Sequence, residues 1–243
     1  MVVRYFSPSY KRGKTAITQN TYSCFDYIIS EAEKEDYKDK KCVLIPKEVQ
    51  GNISRVRNYI LDLYPKDAIV MMDDDCEGIY RWDNCLSKKL SLDEFESFCE
   101  NMVQMILDCN LMYGGVNIAA PGDKGAYREY TPFSFISPVL GPFCIHVANQ
   151  FRYDKSIPLK EDYDMSLQQL KHNRGILRAN AYSYKVKQAS NLGGCSTSRN
   201  SKSEKDQFDK LQKKWGSKIV KYDKQSKKSF DFNPIIKTPL KGV

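Results

Sequence analysis

One stretch constrains this chain more than any other: Asp67-Ala68-Ile69-Val70-Met71-Met72-Asp73-Asp74-Asp75-Cys76-Glu77. A short apolar run stops abruptly in three consecutive aspartates. Bounded upstream by Pro65-Lys66-Asp67, the run reads as a buried strand. Three adjacent carboxylates repel one another at neutral pH and need either solvent or a cation. In an open α/β sheet, the carboxyl end of a strand is where ligands bind. Hard divalent cations such as Mg2+ or Mn2+ take oxygen ligands and share them with substrate phosphates. Side chains alternate along a strand, which predicts Asp73 and Asp75 on one side and Asp74 on the other. The stretch is therefore a candidate metal–diphosphate site. An acidic surface turn after a strand is the plainer reading of the same residues.

The length of 243 residues suits one large domain, or one domain with an extension. No apolar run reaches the length of a membrane span, and Met1 to Pro8 does not have the layout of a signal peptide. The cysteines occur singly, without a Cys-x-x-Cys pair, and the histidines are His146 and His172 alone. A zinc site is not expected from such spacing; reduced cysteines in a cytosolic core are. The charge is uneven. From Arg199 onward 13 basic residues stand against 5 acidic ones, which is the whole net charge of +8. A basic terminal segment suits contact with nucleic acid or another anionic surface, and a solvated lysine-rich end has the same composition.

Along the chain, Val2 to Phe6 reads as a first strand, followed by the loop Ser7-Pro8-Ser9-Tyr10-Lys11-Arg12-Gly13-Lys14. The loop is placed to receive a base and phosphates. Residues 18–33 are expected to be helical in part, and 41–46 a second strand stopped by Pro46. Asn52 is a good N-cap for a helix carrying Ile53, Val56, Ile60 and Leu63 on one face. Ser91 and Glu94 form a capping box for the most amphipathic helix of the chain. Gly114-Gly115 is read as its stop, with a strand over 116–121. Residues 122–131 look like a polar loop able to cover a site. Strands are predicted over 133–137 and 141–147, with His146 in the core. Asp162 is placed to cap a helix running to about His172, or to face the site as a general base. A strand over 176–186, a small-residue loop over 188–200 and a basic helix over 203–215 follow.

These parts, taken in order, resemble the GT-A nucleotide-sugar glycosyltransferases, and more closely the TET-associated glycosyltransferase group found largely in phages. The segments that carry the resemblance are Pro8-Ser9-Tyr10-Lys11-Arg12, Ile53-Ser54-Arg55-Val56-Arg57-Asn58, Val70-Met71-Met72-Asp73-Asp74-Asp75 and Lys160-Glu161-Asp162-Tyr163-Asp164. The likeness implies an α/β fold, a GT-A-like mixed sheet flanked by helices over residues 1–198, with a basic C-terminal segment over 199–243 packing on it or extending it. It implies a divalent cation, Mn2+ or Mg2+, on Asp73 and Asp75. A UDP-sugar donor, UDP-glucose first, is expected against Ser9, Tyr10, Lys11, Arg12, Arg57, Asp73 and Asp74. Asp162 is the implied catalytic base if the reaction inverts, with Glu161 and Asp164 the further choices. A late histidine or carboxylate that completes the metal shell in many GT-A enzymes has no counterpart that the sequence identifies. The implied acceptor is DNA carrying a hydroxymethylpyrimidine, 5-hydroxymethylcytosine above all, in the cytoplasm of a phage-infected bacterium and without a membrane partner. A protein or glycan acceptor, a two-metal nuclease and a nucleic-acid-binding module are the competing readings.

Overall fold

The computed structural model describes residues 1–83, 86–118, 130–187, 200–223 and 232–238. The chain opens with β1 (Val3–Pro8), a single turn α1 (Thr18–Thr21), β2 (Asp26–Ser30), a 3₁₀ helix (Glu31–Tyr37) and β3 (Cys42–Ile45). It continues with α2 (Ile53–Leu63), β4 (Ala68–Met72), β5 (Cys76–Asp83), β6 (Leu86–Lys89), α3 (Leu92–Asp108) and β7 (Tyr113–Asn117). Then come β8 (Phe133–Ser134), β9 (Phe143–Val147), α4 (Glu161–His172), β10 (Leu177–Val186), α5 (Ser201–Trp215), β11 (Val220–Tyr222) and β12 (Pro234–Ile236). The expected polar loop over 122–131 and the small-residue loop over 188–200 lie almost wholly outside the described residues.

The large sheet runs β3-β2-β1-β4-β9-β7-β10-β5-β6, with β8 also paired to β10. Strands β1 to β4 are mutually parallel; β9 is antiparallel to both of its neighbours, β4 and β7. This is the expected mixed sheet with helices on its faces. The central strand shows why its apolar run is unbroken. Ala68, Val70 and Met72 point into the core beneath α3, together with Phe95, Met102 and Ile106. Ile69 and Met71 point the other way, into a core built with Val56 and Ile60 of α2 and Met165 and Leu170 of α4. A strand covered on both faces has no polar side to show.

Both predicted caps form. Asn52 accepts a hydrogen bond from the Arg55 amide, and Ser91 and Glu94 close the reciprocal box. Several expectations are corrected. Residues 26–30 form a buried strand rather than helix, because Tyr27, Ile28 and Ile29 fit a fully covered sheet position. Gly114-Gly115 does not stop α3. The helix ends at Asp108, and Asn110 turns the chain in the left-handed region at φ 53°. The two glycines lie inside β7, where a Cβ on Gly114 would sit 2.7 Å from the Leu177 carbonyl and one on Gly115 2.4 Å from Val139. Strands β8 and β9 do not form a hairpin with each other; β9, buried along its whole length, needs a partner on each edge. The N-cap of α4 is Lys160, not Asp162, which lies within the first turn.

His146 is a core residue, as expected. Its ring is fully buried, Nε2 lies 2.8 Å from the Tyr153 hydroxyl, and Nδ1 lies 2.8 Å from the Asn149 amide. Burial, followed by the charges of Arg57 and Arg152, pulls its pKa down to about 3. The unfolded chain therefore binds a proton below about pH 6.5 that the folded chain refuses. This contribution is complete above that pH and is lost as pH falls toward the folded value. The His146 contribution should fall by about 2 kcal/mol between pH 6.5 and 5, while Asp75, raised to about 6, contributes in the opposite direction over the same range. Urea denaturation of wild type and His146→Gln at both pH values isolates it: the stability difference between the two proteins should change by that amount.

Candidate active site

Strands β1 and β4 are parallel neighbours with Phe6 opposite Met71, so the chain leaves both at the same edge of the sheet. The Ser9–Arg12 loop and the Asp73–Asp75 turn are thus brought together by register alone. Strand geometry ends at Met72, and the three aspartates occupy a turn. The expected strict alternation does not apply to them. The turn is pinned by its backbone: the Asp73 amide donates to Pro142 O at 2.9 Å, and Thr18 Oγ1 donates to Asp73 O at 2.6 Å. The Ile17 amide donates to Asp74 O at 2.8 Å, and Lys187 N to Asp75 O at 3.0 Å.

Each carboxylate has its own environment. Asp74 is buried; it accepts from Arg12 Nη1 at 2.6 Å and from the Ser9 hydroxyl. Burial raises its pKa, and Arg12 opposes the rise. Asp75 accepts from the same Arg12 nitrogen at 3.0 Å. Its pKa is pushed up to about 6 by burial and then by Asp73 and Asp74. Asp73 is the most open of the three, its side chain 40% exposed against 19% for Asp75 and 4% for Asp74. Among the described residues one of its oxygens is engaged, by Arg57 Nη2 at 3.1 Å.

Arg57 joins the two halves of the site. Its position in the first half of α2 lets one guanidinium reach Asp73 on one side and Glu161 Oε1, also at 3.1 Å, on the other. The group is buried and stacks 5.4 Å from the Tyr153 ring. Burial pulls its pKa down, Tyr153, Glu161 and Asp73 more than compensate, and the pKa ends well above normal. Glu161 and Asp162 open α4. Burial raises Glu161, Arg57 pulls it back, and Asp162 pushes it up further. Asp162 is also raised by burial, opposed by the amides of Gly141 and Tyr163, each 2.8 Å from a carboxylate oxygen. Gly141 holds φ +84°, and a Cβ there would meet the Tyr184 hydroxyl at 2.3 Å. A side chain at 141 would therefore disturb the amide that orients Asp162.

The sequence-predicted residues divide in two. Ser9, Arg12, Asp74 and Asp75 form one hydrogen-bonded set and Asp73, Arg57 and Glu161 another, and the backbone of the aspartate turn joins the two into one network; Asp162 follows Glu161 in the chain and is held instead by the Gly141 and Tyr163 amides. Tyr10 and Lys11 do not join this network: the Lys11 amide binds Glu33 at 2.9 Å and its Nζ lies 5.0 Å from the Tyr10 ring. Sequence reasoning missed Thr18 and Tyr37. The Tyr37 hydroxyl lies 2.6 Å from Ser9 Oγ and accepts from the Arg12 amide at 3.1 Å, so it fixes the loop that delivers Arg12. A threonine and a tyrosine within a mixed segment carry no pattern that marks such a role.

Asp73 and Asp75 are the carboxylates suited to a divalent cation: among the described residues each places one oxygen on an arginine, and both are more open than Asp74. Among the described residues, no group of three or more metal-type side chains lies close enough to enclose an ion. Two carboxylates fit Mg2+ or Mn2+ held jointly with a diphosphate and water, the usual arrangement for phosphate substrates.

A family model described as TET-Associated Glycosyltransferase matches residues 4–194, which contain every residue of this network. No curated protein matches the chain. Among solved structures, residues 1–349 of TarS from S. aureus are similar over 76% of this chain, at 13% identity and a TM-score of 0.48. The chain spans 59% of the length of that structure.

Arg57 is the shared counter-charge of two carboxylates in a buried setting. Arg57→Met should cost about 3 kcal/mol, because the buried Glu161 then loses its partner without regaining water, while the half-open Asp73 is screened by solvent. Urea denaturation in metal-free buffer measures the loss. A loss below ~1 kcal/mol would mean that solvent, rather than Arg57, compensates the acids.

Proposed function

Because the chain belongs to the TET-associated glycosyltransferase family, we propose that this glycosyltransferase moves a sugar from a UDP-sugar, UDP-glucose first, to the hydroxyl of 5-hydroxymethylcytosine in DNA. The observation that carries the reading is the linkage of the aspartate turn to the Glu161–Asp162 pair through the Arg57 guanidinium. It sets a diphosphate-binding end and a proton-accepting end side by side.

Asp73 and Asp75 are the residues that would hold the cation, which supplies positive charge to the departing diphosphate. Arg57 reinforces that charge from beside Asp73, within a setting where electrostatic interactions are strong. Asp162 serves as base. Its carboxylate is oriented by two backbone amides, and burial raises its affinity for a proton, which suits a group that must accept one. In the step, the acceptor oxygen bonds to the anomeric carbon, its proton passes to Asp162, and the carbon–oxygen bond to the diphosphate breaks with its electron pair on UDP. Arg12 and Ser9 hold Asp74 and keep the turn in shape. The basic surplus beyond Arg199 supports a DNA acceptor. Part of it is neutralised by acids outside the segment, as the pairing of Lys214 with Asp154 and Asp164 shows, and contact of the remaining surplus with phosphates would carry salt-dependent affinity. A base within a duplex must leave the stack to reach the site.

The test is nucleoside mass spectrometry of hydroxymethylcytosine-containing DNA after incubation with the protein, Mn2+ and a mixture of UDP-sugars. A hexose-sized gain on hydroxymethylcytidine, abolished by EDTA, is expected. Asp73→Asn and Asp75→Asn should each lower the rate by at least about a hundredfold. UDP release without a gain on the nucleoside would discard the DNA acceptor. Sugar transfer that survives EDTA and both substitutions would discard the metal.

A further inference from the structure

The first turn of α4 carries the two acids of the site, yet two of its other side chains turn away and are held from the C-terminal segment. Lys160, at the N-cap position, is buried; its ammonium lies 2.5 Å from Glu204 of α5 and 2.9 Å from Asn233 Oδ1. Asp164 is fully buried, accepting from Trp215 Nε1 at 2.8 Å and from Lys214 Nζ at 2.8 Å, both at the far end of α5. Residues four apart share one face of a helix, so 160 and 164 present a single side to α5. Glu161 and Asp162 then lie about 100° and 200° further round, toward Arg57 and Gly141.

Stability does not explain the choice of residues. A buried lysine–glutamate pair gives up hydration, and an apolar pair of similar volume would hold α5 at least as firmly. Leu167, Phe208, Leu211 and Val220 already supply an apolar contact between the same elements. What an ion pair adds is direction and register: it holds only when α4 and α5 meet at one height and one rotation. All of these anchors except Lys160 and Asp164 lie beyond residue 194, outside the span matched by the family model.

Resting on the glycosyl-transfer reading, we propose that α5 and Asn233 are a positioning device: by holding Lys160 and Asp164 they set the rotation and height at which Glu161 and Asp162 enter the site. Lys160, Glu204 and Asn233 touch no substrate in this scheme; they act through the helix start.

The test compares Glu204→Gln with Val220→Ala, in the full chain. Val220 belongs to the apolar contact and not to the polar anchor, so its truncation loosens the C-terminal segment without touching Lys160. Thermal unfolding sets a working temperature at which both variants are folded. UDP release and nucleoside modification are followed with varied donor, alongside amide hydrogen exchange of residues 161–164. Glu204→Gln is expected to lower kcat about tenfold with donor KM within about twofold, because misplacement of a reacting group acts on the chemical step. It should also speed exchange at 161–164, while Val220→Ala leaves kcat near wild type. An unchanged kcat in Glu204→Gln, or an equal fall in both variants, overturns the proposal. If the wild-type protein transfers no sugar, the glycosyl-transfer reading fails first, and exchange decides the device by itself. Faster exchange at 161–164 in Glu204→Gln than in Val220→Ala supports it, and equal exchange overturns it.

Discussion

Everything in this structure that bears on chemistry depends on how one turn of three aspartates is kept from repelling itself apart. Two arginines do this, from different directions. Arg12 arrives on the loop after β1 and grips Asp74 and Asp75; Arg57 arrives on α2 and grips Asp73. Neither could do so unless β1 and β4 were parallel neighbours in their observed register. The sheet order is thus as much a part of the site as the carboxylates are. The arrangement is also graded: the innermost aspartate is fully occupied with the protein, and the outermost is half free. A cluster arranged in this way keeps its shape by itself and still has oxygens to offer.

Much of this was legible in the sequence because it is local. An apolar run ending in like charges marks a strand end at a ligand site. Asn52 and Ser91 with Glu94 mark helix starts, since the groups that need capping lie within one turn of the residues that cap them. His146 was expected in the core because it lies within the apolar run of a strand. The candidate site was legible as a set of segments, and the structure joins seven of their residues through the aspartate turn and Arg57, with Asp162 beside them.

What was not legible depends on contacts between distant segments. The threonine and tyrosine that fix the turn and its arginine loop, Thr18 and Tyr37, lie on either side of β2, in α1 and the 3₁₀ helix. The stretch 18–33 read as helical in part, and it is; the strand within it comes from burial between β1 and β3, a tertiary effect that propensity does not encode. Gly114-Gly115 looked like a helix stop because glycine at a helix end is common. Its reason here is close packing against Val139 and the Leu177 backbone, to which the local pattern is blind. Nothing next to Lys160 in the sequence marks it as buried, for its partners lie 44 and 73 residues away along the chain.

The place of β9 has a consequence for how the chain is made. Strand β4 is complete by residue 72, but the strand that covers one of its edges is not synthesised until residues 143–147. During translation the apolar Ala68–Met72 segment therefore leaves the ribosome with β1 as its only sheet partner, its other edge open. An uncovered, hydrophobic strand edge is the kind of surface on which nascent chains pair wrongly. Closure of the sheet also joins residues far apart in sequence, which slows folding. The yield of this protein in a cell is thereby tied to the interval between making β4 and making β9. An insertion that lengthens this interval would lower the yield of folded protein even where the finished structure could accommodate it.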